Sequence, residues 1–121
     1  MNASENSLLK IYASTTDRIG FDLLYEHVVV AAKRQKIAGI TVYRGIMGFG
    51  PSSKHIEQSR FWELTEKLPV VIEMIDKTEL LENFYQFIKE DLEKVPKGCL
   101  VTMHPIDIKL QKSGILKNET K

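Results

Sequence analysis

Arg44, Gly45, Gly48, Phe49, Gly50 and Lys54 crowd one short stretch of the chain. Without a Cβ atom, Gly48 and Gly50 allow their backbone N–H groups to approach phosphate oxygens, and Lys54 adds local positive charge. The same glycines also suit a turn at a strand end. Arg44 can pair either with phosphate or with a carboxylate such as Glu73 across a subunit boundary. Glu73 lies in an otherwise apolar run, where a carboxylate is solvated, sits at an interface or has a polar role in a site. Lys54 and His55 fit a solvated loop, with contact to a ligand or target as the functional alternative.

Other chemistry finds little support. His27, His55 and His104 are far apart in sequence and match no metal-ligand spacing, and Cys99 is the single cysteine. No Gly-x-Ser-x-Gly, Walker-type or dinucleotide fingerprint occurs, because Gly48-Phe49-Gly50 opens into a loop and not a helix. Phe61 and Trp62 fit the returning end of that loop, with stacking on a ligand ring as the alternative. Asp17-Arg18 reads as an ordinary turn pair. No nucleophile with its base, and no acid–base pair, can be nominated, so a non-enzyme is expected.

The 121 residues suit one domain, with an ordered core over about residues 8–110 and a polar tail over 111–121. Hydrophobic residues make up 43% and charged residues 27%, which excludes disorder and coiled-coil order. A net charge of +1 offers no electrostatic footprint for nucleic acid or an anionic membrane. Neither a signal peptide nor a membrane span is visible, and a cytoplasmic location without membrane insertion is expected.

The elements that must position these residues follow from periodicity. Leu8 to Ala13 alternates as a strand, and Leu24, Val28 and Ala31 mark a helix over about Asp22 to Gln35. Ile40 to Tyr43 is a second strand. Residues 47–67 form a connection much longer than the usual 4 to 6 residues or so, which points to function. Leu68 to Ile75 is a third strand, and Asp76 with Glu79 fits a capping box. A second helix follows, striped by Leu80, Phe84, Phe87, Ile88, Asp91, Leu92 and Val95 and ended by Pro96 and Gly98. Leu100 to Met103 is a fourth strand, with Ile106 and Ile108 as its extension. The order βαββαβ predicts an α+β, ferredoxin-like sandwich, a four-stranded antiparallel sheet with two helices on one face. Its other face, carrying Tyr12, Tyr43, Val71 and Ile75 with Thr41 and Glu73, is too apolar for water, so self-association is expected.

Two segments carry a resemblance. Tyr43-Arg44-Gly45-Ile46-Met47-Gly48-Phe49-Gly50, after Gly39-Ile40-Thr41-Val42, and the strand Leu68-Pro69-Val70-Val71-Ile72-Glu73 resemble the PII signal-transduction superfamily. More narrowly, they look like the PII-like family catalogued as domain of unknown function 190, over roughly Leu8 to Ile108. The resemblance implies a homotrimer with inward-facing sheets, an adenine nucleotide (ATP, ADP, AMP or cyclic AMP) in clefts between subunits, and a T-loop-like connection contacting a target protein such as a membrane transporter or channel. It places Thr41 at the adenine, Gly48, Phe49 and Gly50 at the phosphates, Glu73 in the cleft, and Lys97 and Gly98 in the segment that supplies a phosphate-binding lysine. Departures are a longer second strand, Pro51-Ser52-Ser53-Lys54 in place of Arg-Gln-Lys, no loop-tip tyrosine, and a shortened Pro96-Lys97-Gly98. A monophosphate, a cyclic nucleotide or another small anion therefore stands beside a triphosphate.

The competing readings are a ligand-free trimeric adaptor, then a metal-binding trimer resembling the copper-tolerance proteins of the same fold, and last an enzyme.

Overall fold

The structure, a computed structural model, describes residues 5–51, 56–58 and 67–114. Strand β1 (Asn6–Ser14) seals Leu9 and Ile11 in the interior and turns Lys10 and Tyr12 to the opposite face, as the two-residue strand period requires. A hairpin of β2 (Arg18–Ile19) and β3 (Asp22–Leu23) follows, closed by Gly20-Phe21. Gly20 adopts φ +63°, the left-handed conformation that glycine enters at no steric cost and that a tight hairpin needs.

This hairpin corrects two sequence expectations. Asp22 does not start the first helix, because it pairs with Ile19 in the hairpin; α1 is Leu24–Arg34. Asp17 is no plain turn residue, since it is buried, its Oδ2 accepting the Ser14 N–H at 2.9 Å and its carbonyl accepting the Leu24 N–H at 2.7 Å. The latter bond satisfies an orphan donor at the start of α1, whose N-cap Leu23 has no side chain able to do so. At the other end, Ile37 N–H reaches the Ala32 carbonyl and Lys36 N–H the Lys33 carbonyl, a Schellman closure with Lys36 at φ 67°.

Strand β4 (Ile40–Arg44) leads into β5 (Met47–Gly48), which pairs with β6 (Glu57–Gln58) and forms a short ladder within the long connection. Lys54, His55, Phe61, Trp62 and Leu64 lie outside the described residues. Strand β7 (Pro69–Lys77) runs directly into α2 (Thr78–Glu93), and β8 (Leu100–Ile106) continues through Pro105 but stops before Ile108. Asp76 does not cap α2. It belongs to β7, where its carboxylate accepts the Ala38 and Lys77 N–H groups, each at 2.8 Å.

The four long strands form one antiparallel sheet in the order β4-β7-β1-β8. Each helix joins two strands that flank a third, the split βαβ arrangement expected from the element order. The core lies between the sheet and the helices: Leu9, Ile11, Ile72 and Met74 meet Leu24 and Val28 of α1 and Leu81, Phe84, Ile88 and Leu92 of α2. The α2 stripe is therefore shifted from the expected one. Leu81 is fully buried, whereas Leu80 and Phe87 are 42% and 55% exposed. Asp91, the polar break in the stripe, meets His27 of α1 at 3.0 Å and ties the two helices together.

Neither α1 nor α2 covers the second sheet face. Strand register arranges it in rows: Tyr43, Val71, Tyr12 and Leu100 lie side by side, and next to them Thr41, Glu73, Lys10 and Thr102. Beyond these come Ile75, Leu8 and His104. A polar row is thus held between two largely apolar ones.

Candidate ligand site at one end of the sheet

Glu73 stands at the middle of the polar row, directly opposite Thr41 on β4 and Lys10 on β1. Its Oε2 accepts the Tyr43 hydroxyl at 2.6 Å, and Lys10 Nζ lies 3.7 Å away. The hydrogen bond to Glu73 leads the causes that raise the Tyr43 pKa above its ordinary 10.0. Loss of the phenolic proton would bring a second negative charge against the carboxylate. Lys10 and Tyr43 were not nominated as partners of Glu73 from sequence, because only the pairing register shows that they meet it.

Arg44 closes β4, exposed and opposite Val70. Gly45 N–H donates to the Pro69 carbonyl at 2.7 Å. A Cβ atom on Gly45 would fall 3.3 Å from Pro69 Cβ, and one on Gly48 would fall 3.0 Å from Pro69 Cγ. These glycines let the chain turn closely over the Pro69 ring. Gly50 differs, because a Cβ there meets nothing within 4 Å. Phe49 is 72% exposed, and Ile46 and Met47 beside it are exposed too.

Lys97 and Gly98 lie in the link from α2 to β8, at the same end of the sheet but on its other edge. Three strand spacings of about 4.8 Å separate the β4 and β8 edges, roughly 14 Å in all. One chain thus brings Thr41 and Glu73 together, and groups Arg44 with Gly48, Phe49 and Gly50. It does not bring Lys97 and Gly98 to either group. Lys54 lies outside the described residues.

A groove of about 320 Å³ opens on the helix side of the β8 edge. Tyr85, Leu92, Val95 and Val101 line it with Cys99, while Lys89, Glu93 and Lys97 supply its charged groups. Although Cys99 is an exposed residue, its pKa is raised, first by partial burial and second by the negative charge of Asp17. Both effects disfavour the thiolate, the reactive form. Sequence reading missed this groove because its walls come from elements whose packing no local pattern reveals. Among the described residues, no group of three or more His, Cys, Asp or Glu could hold a metal ion, and no helix is long and apolar enough to cross a membrane.

A family model described as DUF190, Uncharacterized ACR, matches residues 6–108. The chain belongs to the DUF190 family. A UPF0166 protein of Methanocaldococcus jannaschii is 35% identical over 88 residues, covering 69% of this chain and 80% of the relative. A UPF0166 protein of Aquifex aeolicus is 33% identical over 89 residues, covering 74% of this chain and 84% of its own length. Among solved structures, the chain is similar in fold to CPII, a nitrogen regulatory PII-like protein from Thiomonas intermedia K12 bound to ADP, AMP and bicarbonate. That match has a TM-score of 0.61 at 15% identity and covers 82% of this chain and 83% of CPII. The expected family, DUF190, and the expected α+β fold are both borne out.

Proposed function

We propose that this DUF190 member is a non-catalytic, PII-like regulatory protein of one domain that works as a trimer. Small ligands, adenine nucleotides foremost, would bind between neighbouring chains, and the 47–67 connection would signal their presence to a target protein such as a membrane transporter or channel. The observation that carries this reading is the division of the candidate residues between two edges at the same end of one sheet. Arg44 with Gly48, Phe49 and Gly50 marks the β4 edge, and Lys97 with Gly98 marks the β8 edge. A cyclic assembly joining unlike edges unites the two halves at every junction.

The open sheet face supports the same assembly. Its apolar rows would be buried, and Glu73 in the polar row between them already has partners in Tyr43 and Lys10, as a buried polar group requires. The bound ADP and AMP of CPII favour an adenine nucleotide, with bicarbonate as a further candidate. A non-catalytic role fits the occupied carboxylate of Glu73 and the disfavoured thiolate of Cys99.

The ligand-free adaptor remains the second reading, favoured by one observation: packing on Pro69 accounts for Gly45 and Gly48 without any phosphate. A thermal-shift panel of ATP, ADP, AMP, cyclic AMP and bicarbonate separates the two, with light scattering to give the mass. A ligand at a hundred times its dissociation constant stabilises the folded state by about 2.7 kcal/mol. A nucleotide-specific rise in a trimeric sample supports the sensor. A flat panel with a trimer supports the adaptor, and a monomer at all working concentrations defeats both.

A further inference from the structure

Phe21, at the tip of the β2–β3 hairpin, is 98% exposed. Its backbone is nevertheless held firmly. Arg18 Nη1 donates to the Phe21 carbonyl at 2.8 Å, and the hairpin base is fixed by buried Asp17, whose carboxylate and carbonyl accept the Ser14 and Leu24 N–H groups. Ile19 packs the hairpin against the core. A large apolar side chain displayed on a prepared mount loses little conformational freedom when it binds.

The groove on the β8 edge has the complementary character. Its volume of about 320 Å³ exceeds the 150 Å³ or so of a cavity that accepts benzene. Apolar walls come from Tyr85, Leu92, Val95 and Val101, and Lys89, Glu93 and Lys97 stand beside them. Arg18 is hydrogen-bonded to the Phe21 carbonyl and Asp22 follows Phe21 in the chain, so the hairpin tip carries one charge of each sign, and the groove offers Glu93 to the first and Lys89 and Lys97 to the second. Asp17 at the hairpin base holds Ser14, which ends β1 two residues beyond Tyr12, the partner of Leu100, so the hairpin base and the groove beside Cys99 lie at the same end of the sheet. Both are on the helix side of the sheet, since Ile19 and Val101 each pack against the helix-covered core.

We infer that Phe21 of one chain inserts into the groove of the next copy, a head-to-tail contact that can close into a ring. The ring itself rests on the trimeric reading above, but the peg and its socket are a separate claim. Unlike patches from successive copies meet in such a heterologous contact, and rotation closes the series.

The native Cys99 in the groove provides the test. A Phe21→Cys chain that also carries Cys99→Ser is mixed with a tagged chain of natural sequence, allowed to exchange subunits, and oxidised with diamide at mildly alkaline pH. A disulfide joining positions 21 and 99 can then lie only between chains, and it forms only if the Cα atoms approach to about 7 Å or less. The expected result is a tagged–untagged disulfide mapped by mass spectrometry to those two positions. Phe21→Glu in the natural chain should also raise the dissociation constant of the assembly by about tenfold or more, as loss of an interface anchor does. A trimer that yields no such disulfide and keeps its affinity in Phe21→Glu overturns the peg and socket while leaving the trimeric reading intact. A chain that stays monomeric overturns both.

Discussion

The Tyr43 hydroxyl lies 2.6 Å from Glu73 Oε2, diagonally across the β4–β7 pair and on the sheet face opposite α1 and α2. The neutral phenol donates to the carboxylate, which is why the Tyr43 pKa is raised above 10.0 in the folded chain. A raised folded pKa means that the contact is fully present below the unfolded pKa and is lost as pH rises through the folded one. Tyr43 should therefore ionise later than a free tyrosine in an ultraviolet absorbance titration, with the contact weakening only above about pH 10. Glu73→Gln should move that titration back down. If the late-ionising step persists in Tyr43→Phe, it belongs to another of the four tyrosines and the pairing is refuted.

Gly48 and Gly50 should respond differently to the same substitution. Gly48→Ala sets a Cβ atom 3.0 Å from the Pro69 ring, whereas Gly50→Ala meets open space. Overpacking of this kind costs about 1 to 3 kcal/mol, so the Gly48 variant should lose that stability in urea unfolding and the Gly50 variant almost none. Gly50→Ala is accordingly the better probe of ligand approach, because a fall in nucleotide affinity there carries no folding defect.

Phe84 and Phe87 are both phenylalanines on α2, yet only Phe84 is buried. Phe84→Ala should cost about 3 to 5 kcal/mol. Phe87→Ala should change stability by no more than about 0.5 kcal/mol. Equal losses in denaturant titrations of the two variants would contradict the orientation of the helix.

Lys36 closes α1 at φ 67° without being a glycine. The left-handed conformation costs a residue with a Cβ atom about 1 kcal/mol or more. Lys36→Gly should stabilise the chain by about 1 kcal/mol in thermal or urea unfolding, and a destabilised variant would show that the lysine side chain holds an interaction of greater worth.

The sheet and both helices could be read from the sequence because alternation in β1 and β7 and the spacing of Leu24, Val28 and Ala31 are imposed by burial on one side. The α2 face was harder. Leu80 and Leu81 are adjacent leucines, and a one-position rotation decides which faces the core, while Phe87 follows Phe84 at helical spacing and yet points outward. Asp76 and Glu79 match a capping pattern, but the carboxylate serves Ala38 from another part of the chain, a contact no local window contains. The same holds for the candidate site. Glycine types and Glu73 could be nominated singly, whereas the Pro69 packing, the Tyr43–Glu73–Lys10 group and the groove beside Cys99 depend on strand register and on the docking of α2.

Placing Arg44 and Lys97 on opposite edges of the same sheet carries a genetic consequence. If each cleft takes one edge from each of two chains, a chain lacking Arg44 and a chain lacking Lys97 are each defective alone. Co-expressed, they complement: every mixed ring contains a junction where the intact Arg44 edge of one chain meets the intact Lys97 edge of the other. A single allele damaged at both positions spoils every junction it enters and should be partly dominant over the natural chain.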